Sequence, residues 1–327
     1  MEISCSFPPS PQTPDHIVLA EQLGYERAWV YDSPVTALDS LATLALAAYR
    51  TDRIGLATGV LVPSLRHPVS AASAIATVEQ LAPGRVVVGI GAGGSSRWPL
   101  GERAMRWSDV ETYAVALRGL LCGEKVEWQG KVLAMCHPAG FAPARPITVP
   151  IVIGAEGPKG FAVASRVADG VATFVSTAPK EFDWIVRVVF GTVLEEGEPP
   201  TSERVYEVAG PAAALAYHAG YEWYGAAGVK KLPGGEAWLD AVEQVPERER
   251  HLAIHAGHAV VVNDIDRTVM PSEMVGGATF TGTPEELRKR IVALEADGVT
   301  ELNYQPNGAD IPRELEAFAE VASCAHV

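Results

Sequence analysis

The chain has 327 residues, of which 48% are hydrophobic and 20% charged, so it is long enough for one large α/β domain or two smaller ones. Its formal net charge of -14 disfavours a nucleic-acid surface and leaves no basic face for anionic lipid. No apolar run is long enough to span a bilayer, and the four cysteines are widely spaced, so we expect a cytoplasmic protein with reduced thiols.

Short apolar runs alternate with amphipathic stretches along most of the chain, which predicts strands that are each followed by a helix. Strands are expected at residues 3–7, 27–31, 54–58, 86–90, 149–154, 170–174, 204–208 and 301–304. Helices are expected at residues 14–23, 37–49, 69–81, 109–122, 158–168, 182–194, 285–296 and 311–321, with a small hairpin at 126–135. Repeats of this kind with short turns favour a closed TIM-type (β/α)8 barrel over an open doubly wound sheet.

The stretch at about 210–277 breaks this alternation and holds many of the aromatic residues and histidines. We interpret it as an insertion between strands seven and eight of a single barrel domain that covers residues 1–327. Two placements are open: the insertion covers the mouth of the barrel, or it packs on a neighbouring subunit.

Glycine follows two neighbouring strands of the predicted barrel. Strand 54–58 runs into Gly59, and strand 86–90 ends in Gly91-Ala92-Gly93. Because glycine has no Cβ, it lets a flat ligand approach the backbone. The carboxyl ends of parallel strands are where α/β enzymes bind ligands, so the pattern indicates a cofactor-using enzyme.

Three collinear segments carry a family resemblance, namely residues 58–93, 149–173 and 280–304, and strand 28–32 fits the same order. They resemble the luciferase-like monooxygenase superfamily, especially its deazaflavin-dependent branch, which includes methylenetetrahydromethanopterin reductase. The resemblance covers most of the chain outside about 195–274. It implies a TIM-type barrel that binds coenzyme F-420 or FMN and transfers hydride at the deazaflavin C5 or flavin N5.

The resemblance also assigns roles to individual residues. Gly59-Val60 corresponds to a non-prolyl cis peptide that backs the ring, and Gly91–Gly93 to the loop beside the ring and ribityl chain. The turn 155–159 corresponds to the phosphate-binding turn. The predicted cofactor-binding set is Ser6, Thr58, Gly59, Val60, Gly91, Ala92, Gly93, Ala155, Glu156, Gly157, Pro158 and Lys159.

The residues of the 155–159 turn support the same role. Gly157 precedes Pro158 at the first helical position, which leaves free N–H groups facing outward. Lys159 places a positive charge in the first turn, where an anion would offset its conflict with the helix dipole. The alternative is a surface lysine at an ordinary helix start.

The chain departs from its relatives at two positions. The pair Asp32-Ser33 stands where relatives often have Asp-His, and Gly94 stands where the deazaflavin-dependent glucose-6-phosphate dehydrogenases have a carboxylate. Oxidation of a sugar phosphate is therefore disfavoured. Asp32 and Ser33 are the catalytic candidates, with Asp32 bonding the coenzyme or moving a proton if burial raises its pKa. Alternatively, Asp32 caps the turn before the helix at 37–49.

Two weaker signals lie elsewhere in the chain. Tyr304 and Gln305 end the last predicted strand and could reach substrate, although a structural tyrosine explains the position equally well. His251, His255 and His258 share one face of a helix, but no cysteine or acidic residue accompanies them at ligand spacing. We therefore predict no metal site.

The preferred interpretation is a hydride-transferring oxidoreductase that uses F-420 rather than FMN and acts on a small organic substrate. A two-component FMN monooxygenase is the main alternative, an inactive flavin-binding barrel is the second, and a metal-dependent hydrolase is the weakest. The family resemblance also leads us to expect a homodimer formed through helices near 69–121. A separate flavin or F-420 reductase would be the electron source, and no nucleic acid or membrane would be a partner.

Overall fold

A computed structural model describes residues 1–325, and eight of its strands close into a barrel in the order β1-β2-β3-β4-β7-β8-β9-β10. The barrel strands are β1 (Glu2–Phe7), β2 (Arg27–Val30), β3 (Gly55–Leu61), β4 (Val86–Gly91), β7 (Ile151–Gly154), β8 (Gly170–Thr173), β9 (Ile185–Phe190) and β10 (Glu301–Gln305). β5 (Val126–Trp128) and β6 (Lys131–Leu133) form the expected antiparallel hairpin. The predicted TIM-type barrel is confirmed.

Helices connect the strands along the chain. They are α1 (Thr13–Gln22), α2 (Ser40–Arg50), α3 (Pro68–Leu81), α4 (Gly94–Arg97), α5 (Trp107–Cys122), α6 (Pro158–Val167), α7 (Glu203–Tyr224), α8 (Ala226–Val229), α9 (Gly235–Glu243), α10 (Arg250–Ile254), α11 (Asp264–Val269), α12 (Ser272–Ala278), α13 (Pro284–Ala296) and α14 (Ile311–Ser323). Among the described residues, no helix combines the length and hydropathy needed to cross a membrane.

The chain divides into two compact units. The first contains residues 1–93, 104–188 and 298–303, and the second contains residues 94–103, 189–297 and the chain from 304 onward. The organisation as a single domain stays a prediction, as does the placement of the stretch at 210–277.

The inside of the first unit is lined by one apolar layer to which six strands contribute. Its members are Trp29, Ala57, Val87, Val152, Ala172 and Val186, with Trp184 packed against them. The strand register explains this layer, since Trp29 pairs with Ala57 and Ala57 pairs with Val87 across parallel ladders. Alternate residues of each strand therefore face the same interior.

The seventh strand differs from the prediction. Residues 182–194 are not a helix, because Ile185–Phe190 forms β9, and residues 204–208 are not a strand, because they begin α7. The segment IVRVVF is rich in β-branched residues, which pack well in a sheet. The apolar alternation in 204–208 is overridden by a helix that starts at the Ser202 N-cap, whose side chain accepts from Val205 N.

The second unit has its own apolar core. It is built mainly from α7, α9 and the helices up to α12, around the fully buried rings of Tyr217 and Trp238, which stack with centroids 6.1 Å apart. At its other end, Thr283 and Glu286 form a capping box at the start of α13, as expected for a helix that opens with TPEE.

Candidate active site at the carboxyl ends of the barrel strands

A bulge interrupts β3 at the glycine that follows its first half. Thr58 pairs with Val88, and the next paired residues are Leu61 and Ile90, so β3 has one residue more than β4 over this interval. The Gly59-Val60 peptide bond within the bulge is cis, the conformation that the family resemblance implied. The Thr58 hydroxyl donates to the Gly89 carbonyl at 2.9 Å, which ties the bulge to β4.

The glycines of β4 and β7 accommodate this bulge. A Cβ atom at Gly91 would lie 2.6 Å from Val60 Cγ2, and one at Gly154 would lie 3.3 Å from Val60 Cγ1. At Gly89 a Cβ atom would lie 2.2 Å from the Thr58 carbonyl oxygen. The sequence predicts that the glycines at the ends of these strands make room for a flat ligand. At positions 89 and 91 this space is filled by the bulge of β3 itself. Gly59 and Val60 are partly exposed, so they form the surface on which a flat ligand could lie instead.

The turn after β7 has the features of an anion site. α6 starts at Gly157, which offers no side-chain cap, with Pro158 at the first helical position. A Cβ atom at Gly157 would meet nothing within 4 Å, so the space before the helix is open. Lys159 is exposed in the first turn, while the backbone N–H of Ala155 is bonded to the Ala172 carbonyl at 2.9 Å. Uncapped N–H groups beside a lysine fit a phosphate.

Glu156 has a different task from its neighbours in this turn. Its carboxylate accepts from the backbone N–H groups of Phe174, Val175 and Ser176, and the Ser176 hydroxyl donates to the Glu156 carbonyl at 2.9 Å. Arg187 binds the same turn from β9, donating to the carbonyls of Phe174 and Ser176 at 2.8 Å each. Glu156 and Arg187 thus fix the turn at 174–176, and direct binding of a cofactor by Glu156 stays a prediction.

Polar side chains line part of the barrel strands. The hydroxyls of Ser4, Ser6 and Thr173 and the side-chain oxygen of Asn303 are buried without a hydrogen-bond partner among the described residues. Ser6 pairs with Trp29 in the strand register, so it lies on the interior face. Buried polar groups need partners, so these atoms fit a site that receives a polar ligand. This observation supports the predicted place of Ser6 in the cofactor-binding set.

Asp32 lies in a buried ion pair. Arg66 donates to both of its carboxylate oxygens, from Nε at 3.0 Å and from Nη2 at 2.8 Å, and the Ser40 hydroxyl donates at 3.2 Å. Arg66 also reaches Asp39 at 2.8 Å. The hydrogen bond with Asp32 raises the pKa of Arg66, so the guanidinium stays charged. This bidentate pair is a structural anchor, and it does not support a proton-transfer role for Asp32.

We expect the charge of Asp32 to matter for stability. Asp32→Asn should lower the free energy of unfolding by about 3 kcal/mol, because it removes the buried, bidentate partner of Arg66 and leaves only the half-exposed Asp39 to balance the guanidinium. Combining it with Arg66→Met should cost less than the sum of the two single changes. Urea denaturation measures both, with Asp15→Asn as the control, since the Asp15–Arg50 pair is exposed and should be worth less than about 1 kcal/mol. Equal effects of the two Asn variants would contradict the anchor.

The remaining predicted residues have structural contacts. The Ser33 carbonyl accepts from the N–H groups of Thr36 and Ala37, which closes the turn before α2. In the second unit, Tyr304 is fully buried, its ring stacks on Phe318 with centroids 4.0 Å apart, and its hydroxyl bonds Glu314 at 3.1 Å.

These contacts do not support a substrate role for Tyr304. Gln305, also in the second unit, is buried and lies 3.5 Å from the Ala259 carbonyl, so its substrate role stays a prediction.

Sequence reasoning missed two residues of the first unit. Arg66 received no role, because it lies in the segment between the predicted strand at 54–58 and the predicted helix at 69–81. Arg187 was hidden in the segment that was wrongly assigned to a helix. Arg66 meets Asp32 from 34 residues away, whereas Arg187 contacts the turn that precedes its own strand.

Comparison with known proteins gives the same family. The luciferase-like monooxygenase pattern matches residues 8–301. The chain is 32% identical over 191 residues to 5,10-methylenetetrahydromethanopterin reductase of Methanolobus tindarius, which is 56% of this chain and 55% of that protein. It is 35% identical over 187 residues to F420-dependent glucose-6-phosphate dehydrogenase of Nakamurella multipartita, which is 53% of this chain and 54% of that protein. The chain thus spans about half the length of these curated relatives.

Solved structures share the fold at lower identity. The coenzyme F420-dependent tetrahydromethanopterin reductase from Methanopyrus kandleri gives a TM-score of 0.67 at 18% identity and covers 98% of both chains. The oxygenating constituent of 3,6-diketocamphane monooxygenase from Pseudomonas putida, solved with FMN, gives 0.59 at 14% identity over 98% of this chain and 95% of that one. Since the family pattern extends over far more than half of its residues, the chain belongs to the luciferase-like monooxygenase family.

Proposed function

We propose that this protein is an oxidoreductase that transfers a hydride between coenzyme F-420 and a small organic substrate. The proposal rests on one observation. The bulge of β3 lies next to the end of β7, and β7 is the strand that leads into the anion site at the start of α6. Val60 lies beside Gly154 at the end of β7, where an added Cβ atom would be 3.3 Å from Val60 Cγ1, and the next residues along the chain lead to the uncapped start of α6 at Gly157. A ring that rests on the bulge and a phosphate at the helix would belong to one elongated cofactor.

The choice of F-420 over FMN is supported by the curated relatives whose names state F420 dependence, the glucose-6-phosphate dehydrogenases. When bound, the deazaflavin supplies the carbon that accepts or donates the hydride. The protein's own residues then have three tasks: Gly59 and Val60 support the ring, Ser6 offers a hydroxyl on the interior face, and Lys159 with the α6 N–H groups holds the phosphate. None of these tasks requires a strong acid or base. A reduction driven by the coenzyme therefore fits better than oxidation of an alcohol.

Titration of the purified chain with F-420 and with FMN, followed by fluorescence, tests the cofactor. F-420 should bind in the micromolar range or tighter, and clearly more tightly than FMN. Lys159→Ala should weaken F-420 binding about tenfold, because it removes one charged hydrogen bond to phosphate. Lys131→Ala on the hairpin is the matched control and should bind F-420 like the unchanged chain.

The outcomes separate the alternatives. Preference for FMN together with oxygen consumption would indicate the two-component monooxygenase. Failure to bind either coenzyme would overturn the proposal. We also propose that the protein forms a homodimer, which sedimentation analysis tests. A separate reductase would be the electron source, which coupling the reaction to a reductase tests.

A further inference from the structure

Three histidines of the second unit form a buried cluster. His218 lies on α7, His255 follows the end of α10, and His258 lies in the next turn. Each is at most 5% exposed. The sequence spacing groups His255 and His258 with His251. In the structure the third member of the cluster is His218 and not His251.

The ring nitrogens of the cluster converge on one point. His218 Nδ1 lies 2.9 Å from His258 Nδ1, and His255 Nδ1 lies 3.2 Å from the same atom. Three imidazole nitrogens around one Zn²⁺ at 2.0–2.1 Å in tetrahedral geometry would be separated by about 3.3 Å. The two separations that meet at His258 Nδ1 therefore need to widen by only a few tenths of an ångström to hold an ion, and the possible ligand atoms of the three histidines all lie within 4.8 Å of one another.

Carboxylates fix the orientation of two of these rings. His218 Nε2 lies 2.9 Å from Asp266 Oδ2, and His255 Nε2 lies 3.1 Å from Glu222 Oε1. A ring that donates its Nε2 proton to a carboxylate keeps the Nδ1 lone pair free and pointed at the centre. The spacing of the sequence gives no sign of these acidic partners, because Glu222 lies on α7 and Asp266 on α11, outside the segment that contains His255 and His258.

The carboxylate of Asp266 is itself held in place. Trp238 Nε1 donates to Asp266 Oδ1 at 2.8 Å, and the Asp266 N–H donates to Asn263 Oδ1 at 2.9 Å. Asp266 is fully buried. Metal-binding histidines commonly have this kind of outer support, which sets the ring orientation before an ion arrives.

Without an ion, the cluster has too few protons at its centre. With protons on Nε2 of His218 and His255, two Nδ1 lone pairs face each other across His258, and only one proton, on His258 Nδ1, is available to bridge both. With that proton on Nε2 instead, His258 Nδ1 presents a third lone pair to the same centre. A divalent ion satisfies all three lone pairs together.

We propose that His218, His255 and His258 bind Zn²⁺ through their Nδ1 atoms, with Asp266 and Glu222 as outer partners. Since the three residues are at most 5% exposed, a fourth ligand would have to be as small as water. The ring of Trp98 lies against the cluster, stacked on His255 with centroids 5.7 Å apart and edge-on to His258 at 6.0 Å. The ion would join α7, the end of α10 and the segment at 94–103 within the second unit.

Metal analysis of the full chain tests the site directly. Protein stripped with a chelator and reloaded with zinc should hold about one ion per chain after desalting, and its melting temperature should rise on loading. Cobalt should give the visible absorption of a tetrahedral nitrogen site, which reports the coordination independently of activity.

Variants locate the ion. His258→Gln should abolish tight zinc binding, and Asp266→Asn should weaken it by about 10- to 100-fold. His251→Gln is the matched control, since His251 is not in the cluster, and it should keep the full zinc content. If the unchanged chain takes up no zinc, or if His258→Gln and Asp266→Asn hold it as tightly as His251→Gln, the proposal is wrong. The zinc content of the unchanged chain is informative even where a variant does not fold.

Discussion

Glu301→Ala should lower the free energy of unfolding by about 3–5 kcal/mol. Glu301 is fully buried at the start of β10, and its carboxylate accepts from Arg27, from Trp29 Nε1 at 2.8 Å and from Trp184 Nε1 at 2.9 Å. Removing it would leave two indole N–H groups without an acceptor and Arg27 with only the half-exposed Glu2 as an anionic partner. A loss of this size is a large part of the stability of an ordinary domain.

Two variants test whether the loss of stability comes from the buried carboxylate of Glu301 and not from any change beside Arg27. Glu301→Gln keeps the shape and one acceptor oxygen but loses the charge, so its cost should be intermediate. Glu2→Gln removes the other carboxylate near Arg27, which is 3.5 Å away and half exposed, and should change stability by less than about 1 kcal/mol. Chemical denaturation of the four proteins gives the order. A Glu301→Ala variant as stable as Glu2→Gln would show that the three donors find other partners.

Gly89→Ala should disrupt the bulge of β3 and, with it, cofactor binding. The added Cβ would lie 2.2 Å from the Thr58 carbonyl oxygen, 3.1 Å from Val60 Cγ1 and 3.2 Å from the ring of Trp29. Since the first obstacle is backbone, the strand itself must shift. We expect a destabilisation of about 3 kcal/mol and a loss of F-420 affinity that exceeds that of Lys159→Ala.

Gly91→Ala provides a graded comparison. Its added Cβ would meet Val60 Cγ2 at 2.6 Å, which is the end of a side chain, so Gly91→Ala combined with Val60→Ala should recover stability. The same second change should not rescue Gly89→Ala, because the Thr58 carbonyl remains. Gly277→Ala on α12 is the control, since nothing lies within 4 Å of the added atom. Rescue of both variants by Val60→Ala would show that side chains alone set the shape of the bulge.

The sequence predicted the barrel well where local signals agree. Runs such as Val86–Gly91, followed by glycine and a helix start, carry both the strand pattern and its end. The seventh strand failed because a short apolar run does not distinguish a strand from a buried helix, and IVRVVF contains an arginine that resembles the polar face of a helix.

The candidate site was predictable only where it depends on backbone shape. The helix start at Gly157 is written in consecutive residues, and the bulge at Gly59 was implied by the family resemblance. The pair between Asp32 and Arg66 and the histidine cluster around His218 depend on contacts between distant parts of the chain, and one sequence carries no sign of such contacts.

The turn at 174–176 has a consequence for recognition. Its N–H groups are held by Glu156, the carbonyls of Phe174 and Ser176 by Arg187, and the Ser176 hydroxyl donates to the Glu156 carbonyl. Phe174 and Val175 remain 51% and 86% exposed on this rigid support. Exchanging these two side chains should therefore change what the turn contacts while its shape stays the same, which makes it a natural position for ligand preference to diverge or to be engineered.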